Sequence, residues 1–147
     1  MNLTSSGTVC SPAASRSVAE EWLVAAGLIL VASGLKESSE HWEIYSYAGT
    51  GEFSAYLPGY APAEIRSGVD ITDDVWRHLA MTFDGQKVRL FIDAKLVKEQ
   101  EVTRQRSGGE AGLLWIGAYP PQKIGCSGCI DEARLLRAIR AAIERLE

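Results

Sequence analysis

Between Trp76 and Val97 the chain reads WRHLAMTFDGQKVRLFIDAKLV, and few folds can accept that run. Leu79, Met81 and Phe83 alternate with other residues up to Asp84-Gly85; Val88, Leu90 and Ile92 then alternate up to Asp93-Ala94-Lys95, and Leu96 to Val102 follow. A period of two places alternate side chains on one face of an extended chain, whereas a helix would scatter them round its axis. Asp-Gly supplies the turn that joins two such runs. Three consecutive antiparallel strands with one buried face are therefore predicted.

The same signal extends outward. In HWEIYSYAGTGEFSAYL, alternating runs at 42–47 and 52–57 flank Gly49 and Gly51, which provide the positive φ that a tight hairpin requires. PGYAP at 58–62 reads as a loop and SGVDITDD at 67–74 as a short strand between turns. LLWIGAY at 113–119 reads as a strand that Pro120 and Pro121 end, because proline lacks the backbone donor a ladder uses. Short strands with glycine, proline and aspartate turns predict an all-β, two-sheet antiparallel sandwich. From Leu135, with Ile139, Ala142, Ile143 and Leu146, apolar spacing lengthens to three and four, so a C-terminal amphipathic helix begins there or a little later. The expected organisation is an irregular segment over 1–16, a sandwich over 17–136 and a helix over 137–147.

A chain of 147 residues with 46% hydrophobic content supports one well-buried core. The net charge of −4 gives no basic footprint for a phosphate backbone, so nucleic acid is not an expected partner. Arg134, Arg137 and Arg140, interleaved with apolar residues, read as a solvated helix face. Trp22 to Ala32 is the longest apolar stretch and falls short of the roughly 20 residues that cross a bilayer. It follows Glu20 and Glu21 rather than a basic flank, so no signal peptide is evident; an extracellular location is expected only for an exported precursor. Asn2-Leu3-Thr4 has the form of a glycosylation acceptor, a pattern that also arises by chance.

Cys10, Cys126 and Cys129 make an odd count. The spacing in GCSGC fits half a zinc site, but no second pair of cysteines or paired histidines completes it. In extended chain Cys126 and Cys129 stand roughly 10 Å apart, beyond the limit of about 7 Å for a disulfide. Gly125 and Gly128 could fold the loop tightly enough for a bridge, yet two unpaired thiols are the expectation.

DDVWRHLAMTFDGQKVRLFIDAKLV resembles the hallmark of laminin-G-like domains of the concanavalin A-like lectin/glucanase superfamily, through Trp76, His78, Asp84, Gly85 and Asp93. Ala94 departs from the pattern, standing where these domains usually have glycine. LLWIGA resembles the penultimate core strand, and SGCIDEARLL the closing strand, through Gly128, Ile130, Asp131, Glu132 and Arg134. The resemblance covers roughly residues 18–137, without the usual first strand; either residues 1–16 supply an irregular substitute, or the chain is a trimmed or divergent member whose exposed sheet edge favours self-association, a homodimer forming through that edge or, separately, through the C-terminal helix. It implies a two-sheet jelly roll and a mainly extracellular binding module, often for carbohydrate and sometimes calcium-dependent, in a superfamily that also contains glycoside hydrolases.

Fold alone does not choose among these, so each is weighed at the residues. Glycoside hydrolysis needs two carboxyl groups flanking one bond. Asp131 and Glu132 are adjacent and so point to opposite faces of a strand, Glu40 and Glu43 differ in parity, and His41 and His78 have no triad context. No catalytic residues are assigned and the chain is not expected to be an enzyme. Binding has better candidates. Tyr45 and Tyr47 oppose Ile44, Tyr56 opposes Phe53, Ala55 and Leu57, and Phe91 opposes Val88, Leu90 and Ile92. If these strands share a sheet, Tyr45, Tyr47, Tyr56 and Phe91 form an aromatic platform on which sugar rings stack. Calcium is the one cofactor to consider, with Asp131 as the metal candidate and Asp70, Asp73 and Asp74 clustered in a turn. The remaining alternative is a protein-interaction or self-assembly module with no glycan ligand.

Overall fold

The alternating runs become two antiparallel sheets in the computed structural model, which describes residues 3–5, 9–10 and 27–136. The principal strands in chain order are β1 (Leu28–Ser33), β2 (Trp42–Ser46), β3 (Glu52–Tyr56), β4 (Glu64–Asp70), β5 (Leu79–Phe83), β6 (Lys87–Ile92), β7 (Lys95–Glu101) and β8 (Leu114–Ile116). One sheet runs β8-β1-β2-β3-β4, the other β7-β6-β5. The expected 42–57 hairpin and the three-strand meander are both present.

Alternation decides which faces meet. Phe53, Ala55 and Leu57 from the large sheet and Val88, Leu90 and Ile92 from the small one are buried in one cluster with Ile65 and Val102. Leu30, Ile44, Leu79 and Met81 pack around it. Each large side chain so buried contributes on the order of 1.5–3 kcal/mol, which makes this layer the main source of stability. The residues between these positions necessarily point away from the core, and that leaves each sheet with a second face.

Turn chemistry fixes the meander. The Asp84 carboxylate accepts the N–H groups of Gln86 at 2.9 Å and Lys87 at 2.7 Å, closing the turn between β5 and β6. Between β6 and β7, Asp93 (φ 50) and Ala94 (φ 64) are both left-handed, the two-residue loop whose twist suits a hairpin. Asp93 Oδ1 also accepts the His78 N–H at 2.8 Å, tying this loop to the start of β5.

Several expectations need correction. The strand expected at 67–74 is Glu64–Asp70, and the one expected over 113–119 divides at Gly117 (φ 71) into β8 and Ala118–Tyr119. After a single 3-10 turn at Pro120–Gln122 the chain folds back, pairing Tyr119 with Ile124. The segment over 1–16 is not simply irregular. Leu3–Ser5 pairs with Ala133–Leu135, and Val9–Cys10 with Cys129–Ile130. Strands of two or three residues carry no readable alternation, and their partners lie at the far end of the chain. Leu135 is consequently a strand residue rather than a helix start; residues 137–147, where the helix is expected, lie outside the described residues.

The cysteines also differ from expectation. Cys126 is a free thiol, but Cys129 is disulfide-bonded. Cys10 is the cysteine that remains, and its backbone faces Cys129 in register. Cross-strand pairing brings positions 10 and 129 together, something sequence spacing does not reveal. Among the described residues no helix is long and apolar enough to cross a membrane.

Candidate binding face

The second face of the large sheet is built row by row from its register. Tyr45 on β2 stands opposite Ser54 on β3, which stands opposite Arg66 on β4; in the next row Glu43, Tyr56 and Glu64 align. Tyr47 follows β2, and its N–H donates to the Glu52 carbonyl at 2.8 Å, so it continues the same face. An irregularity between Ile29 and Val31 shifts the phase of β1, so Ile29 pairs with Tyr45 and Ala32 with Glu43 despite their unlike parity. Three tyrosines thus stand on adjacent strands, half-buried, above the fully buried Ser54.

Each ring is held by a charged neighbour. The Tyr45 hydroxyl donates to Glu64 Oε2 at 3.1 Å. Burial, and then the Glu64 carboxylate, push that hydroxyl well above the ordinary tyrosine range, so it remains a donor. The Arg66 guanidinium lies 3.7 Å from the centroid of the Tyr47 ring, a cation–π contact that covers one ring face. Arg66 is itself forked onto Glu52, with Nη2 to Oε1 at 2.5 Å and Nε to Oε2 at 3.2 Å. That pairing holds the Glu52 carboxyl below its ordinary range. The Tyr45 and Tyr47 rings are 6.4 Å apart and tilted by 38°.

On the far side of Tyr56 lies a buried ionic cluster. Glu43 is 3% exposed, with Lys36 Nζ 3.1 Å from Oε1 and His41 Nε2 3.3 Å from Oε2. His41 Nδ1 lies 3.0 Å from the Gly34 carbonyl, which can only accept, so Nδ1 carries a proton. The Nε2 and Oε2 atoms approach as an ion pair does but are not aligned as a hydrogen bond, and neither has a hydrogen-bond partner among the described residues. The His41 ring meets Tyr56 edge-on at 6.0 Å and Tyr119 at 5.9 Å. Tyr119 accepts the Lys36 N–H at 2.9 Å and packs with Trp115, Ile29 and Ala32, so the 118–125 segment covers the β1 half of the face. The tyrosines sit beside that covered half.

Of the residues expected to form a platform, Tyr45, Tyr47 and Tyr56 share this face, and Phe91 does not. Phe91 is on β6 in the other sheet, opposite Ala80 and Leu96, and points away from the core that separates the two sheets. Parity identifies the face of a strand but not the sheet to which the strand belongs. Asp131 is exposed, between Cys129–Ile130 and Ala133–Leu135. Asp70 accepts the Thr72 N–H and hydroxyl, and Asp73 pairs with Arg77. Among the described residues, no three His, Cys, Asp or Glu side chains are grouped as a metal site would need.

Lys36, His41, Glu43, Glu64 and Arg66 were not expected at the site. Glu43 shares the parity of Tyr45 and Tyr47, a signal present in the sequence; the others arrive through loops and register.

A comparison with curated proteins finds no match. The model of a laminin-G-like family, described as the concanavalin A-like lectin/glucanases superfamily, matches residues 11–142. With a match over most of its length and two antiparallel β-sheets packed on a shared core, the chain belongs to this laminin-G-like family of the concanavalin A-like lectin/glucanases superfamily.

Proposed function

We propose that this protein is a non-catalytic binding module whose ligand is carbohydrate, held on the second face of the large sheet. The observation that carries the reading is the group of three half-buried tyrosines on adjacent strands, bordered by Glu64 and Arg66. Aromatic faces accept the C–H surface of a sugar ring, while carboxylate and guanidinium groups take its hydroxyls in charge-assisted hydrogen bonds. The non-catalytic reading is supported by how the carboxylates are used. Glu43 is buried against Lys36 and His41, Glu52 is forked onto Arg66, and Asp70 is engaged by the Thr72 N–H and hydroxyl, so each carboxylate described near Glu64 already has a partner of its own. The disulfide at Cys129 favours work in an oxidising compartment, and a thiol count on protein recovered from its native source tests that.

The test of the binding reading is a glycan array with the intact chain, followed by calorimetric titration of the best ligand into wild type and a Tyr45→Ala, Tyr56→Ala variant whose fold is checked by circular dichroism. Loss of at least about tenfold in affinity supports the reading. A folded protein that binds no glycan, or a double variant that binds as well as wild type, refutes it.

A further inference from the structure

The charges around the tyrosines bear on which glycans this face accepts. Along β2, β3 and β4 it carries Glu43, Glu52, Glu64 and, opposite Glu52, Asp70. Against these stand Arg66 and Lys36. Both cations are already matched, Arg66 by Glu52 and Lys36 by Glu43. The hydrogen bonds described for Glu64 and Asp70 come from uncharged groups, the Tyr45 hydroxyl for one and the Thr72 N–H and hydroxyl for the other; Arg66 acts on Glu64 through charge alone, its guanidinium being forked onto Glu52. Glu64 is also exposed, on the edge strand β4, where a ligand lying across the tyrosines meets it.

We infer that the face selects uncharged glycans and rejects those bearing carboxylates or sulfates, with Glu64 as the discriminating residue. The inference rests on the carbohydrate reading above and adds a ligand class to it. A sugar hydroxyl donates to Glu64 and gains a charge-assisted bond; a uronate in the same position loses that bond and adds a like charge, while the cations described on this face, Arg66 and Lys36, are already paired with Glu52 and Glu43. The whole chain, at net charge −4, adds to the repulsion rather than relieving it.

The experiment titrates matched oligosaccharides that differ only at C6, oligoglucose against oligoglucuronate and oligogalactose against oligogalacturonate, into the intact protein and into Glu64→Gln. In wild type the neutral member of whichever pair binds is expected to bind at least about fivefold more tightly than its uronate, with the gap shrinking at high salt. Glu64→Gln, which keeps an acceptor for Tyr45, is expected to narrow the gap by strengthening uronate binding. Equal or tighter uronate binding in wild type overturns the inference while leaving the carbohydrate reading intact. A gap that Glu64→Gln does not change overturns the assignment to Glu64, and absence of binding by every member overturns both readings.

Discussion

Ala94 occupies a backbone conformation better suited to glycine, and replacing it isolates one physical effect. In the loop joining β6 to β7, Asp93 has φ 50 and Ala94 φ 64, so both residues are left-handed. Asp93 is compensated, because its carboxylate accepts the His78 N–H at 2.8 Å and its own N–H donates to the His78 carbonyl at 2.8 Å. Ala94 is exposed, so its side chain has no packing to lose. An L-residue in this region costs roughly 1–2 kcal/mol through the clash of Cβ with the backbone. Glycine removes that cost but returns about 0.4–1 kcal/mol of freedom to the unfolded chain. Ala94→Gly is therefore expected to stabilise the protein by roughly 0.5–1 kcal/mol, a rise of about 2–3 °C in Tm for a chain of this size. Ala94→Val, branched at Cβ, is expected to lower Tm instead. The assay is urea and thermal unfolding with the disulfide intact. A Tm that falls or stays unchanged in Ala94→Gly refutes the reasoning.

Other consequences follow from the same contacts. Glu43→Ala strips the counterion from Lys36 and the neighbouring carboxylate from the fully buried His41, and is expected to cost about 3 kcal/mol in urea unfolding. Hydrogen bonds from the Gln86 and Lys87 N–H groups, with Arg89 beside them, hold the Asp84 carboxyl at about 2, below the ordinary aspartate range. A depressed folded-state value means that this stabilisation is complete above the unfolded value and is lost as pH falls. The stability difference between wild type and Asp84→Asn is therefore expected to shrink from pH 5 to pH 2, as followed by unfolding at each pH. Reducing the disulfide at Cys129 is expected to cost about 2–4 kcal/mol, read as a Tm difference with and without dithiothreitol. Burial pushes the Cys126 thiol up, so native protein is expected to react with a thiol reagent at pH 7.5 far more slowly than urea-unfolded protein does.

Much of the architecture is legible in the chain because its signals are local. Leu79, Met81 and Phe83 alternate over a span long enough to show the period, Asp84-Gly85 marks a turn by residue type, and Val88, Leu90 and Ile92 sit in the core as their parity requires. Tyr45, Tyr47 and Tyr56 share a face because a short hairpin fixes the register between their strands. Where partners are distant, the signal disappears. Phe91 has the expected parity within its own strand, but its sheet lies across the core. Leu3–Ser5 and Val9–Cys10 are too short to alternate and depend on Ala133–Leu135 and Cys129–Ile130 for their pairing. Lys36 and His41 reach Glu43 from a loop, and Arg66 reaches Tyr47 through an irregular stretch of β4 whose register shifts between Glu52 and Ser54. Those placements are set by tertiary packing and leave no periodic trace.

The central claim is that one face of the large sheet takes the ligand, and chemical-shift mapping tests it most directly. Backbone amide spectra of the labelled protein would be recorded during titration with the neutral oligosaccharide that binds best. The account predicts that the largest shifts fall on Tyr45, Tyr47, Tyr56, Glu64 and Arg66, with Arg89 and Phe91 on the other sheet unmoved. Shifts centred on Arg89 and Phe91, or on the edge strand Leu79–Phe83, would contradict it.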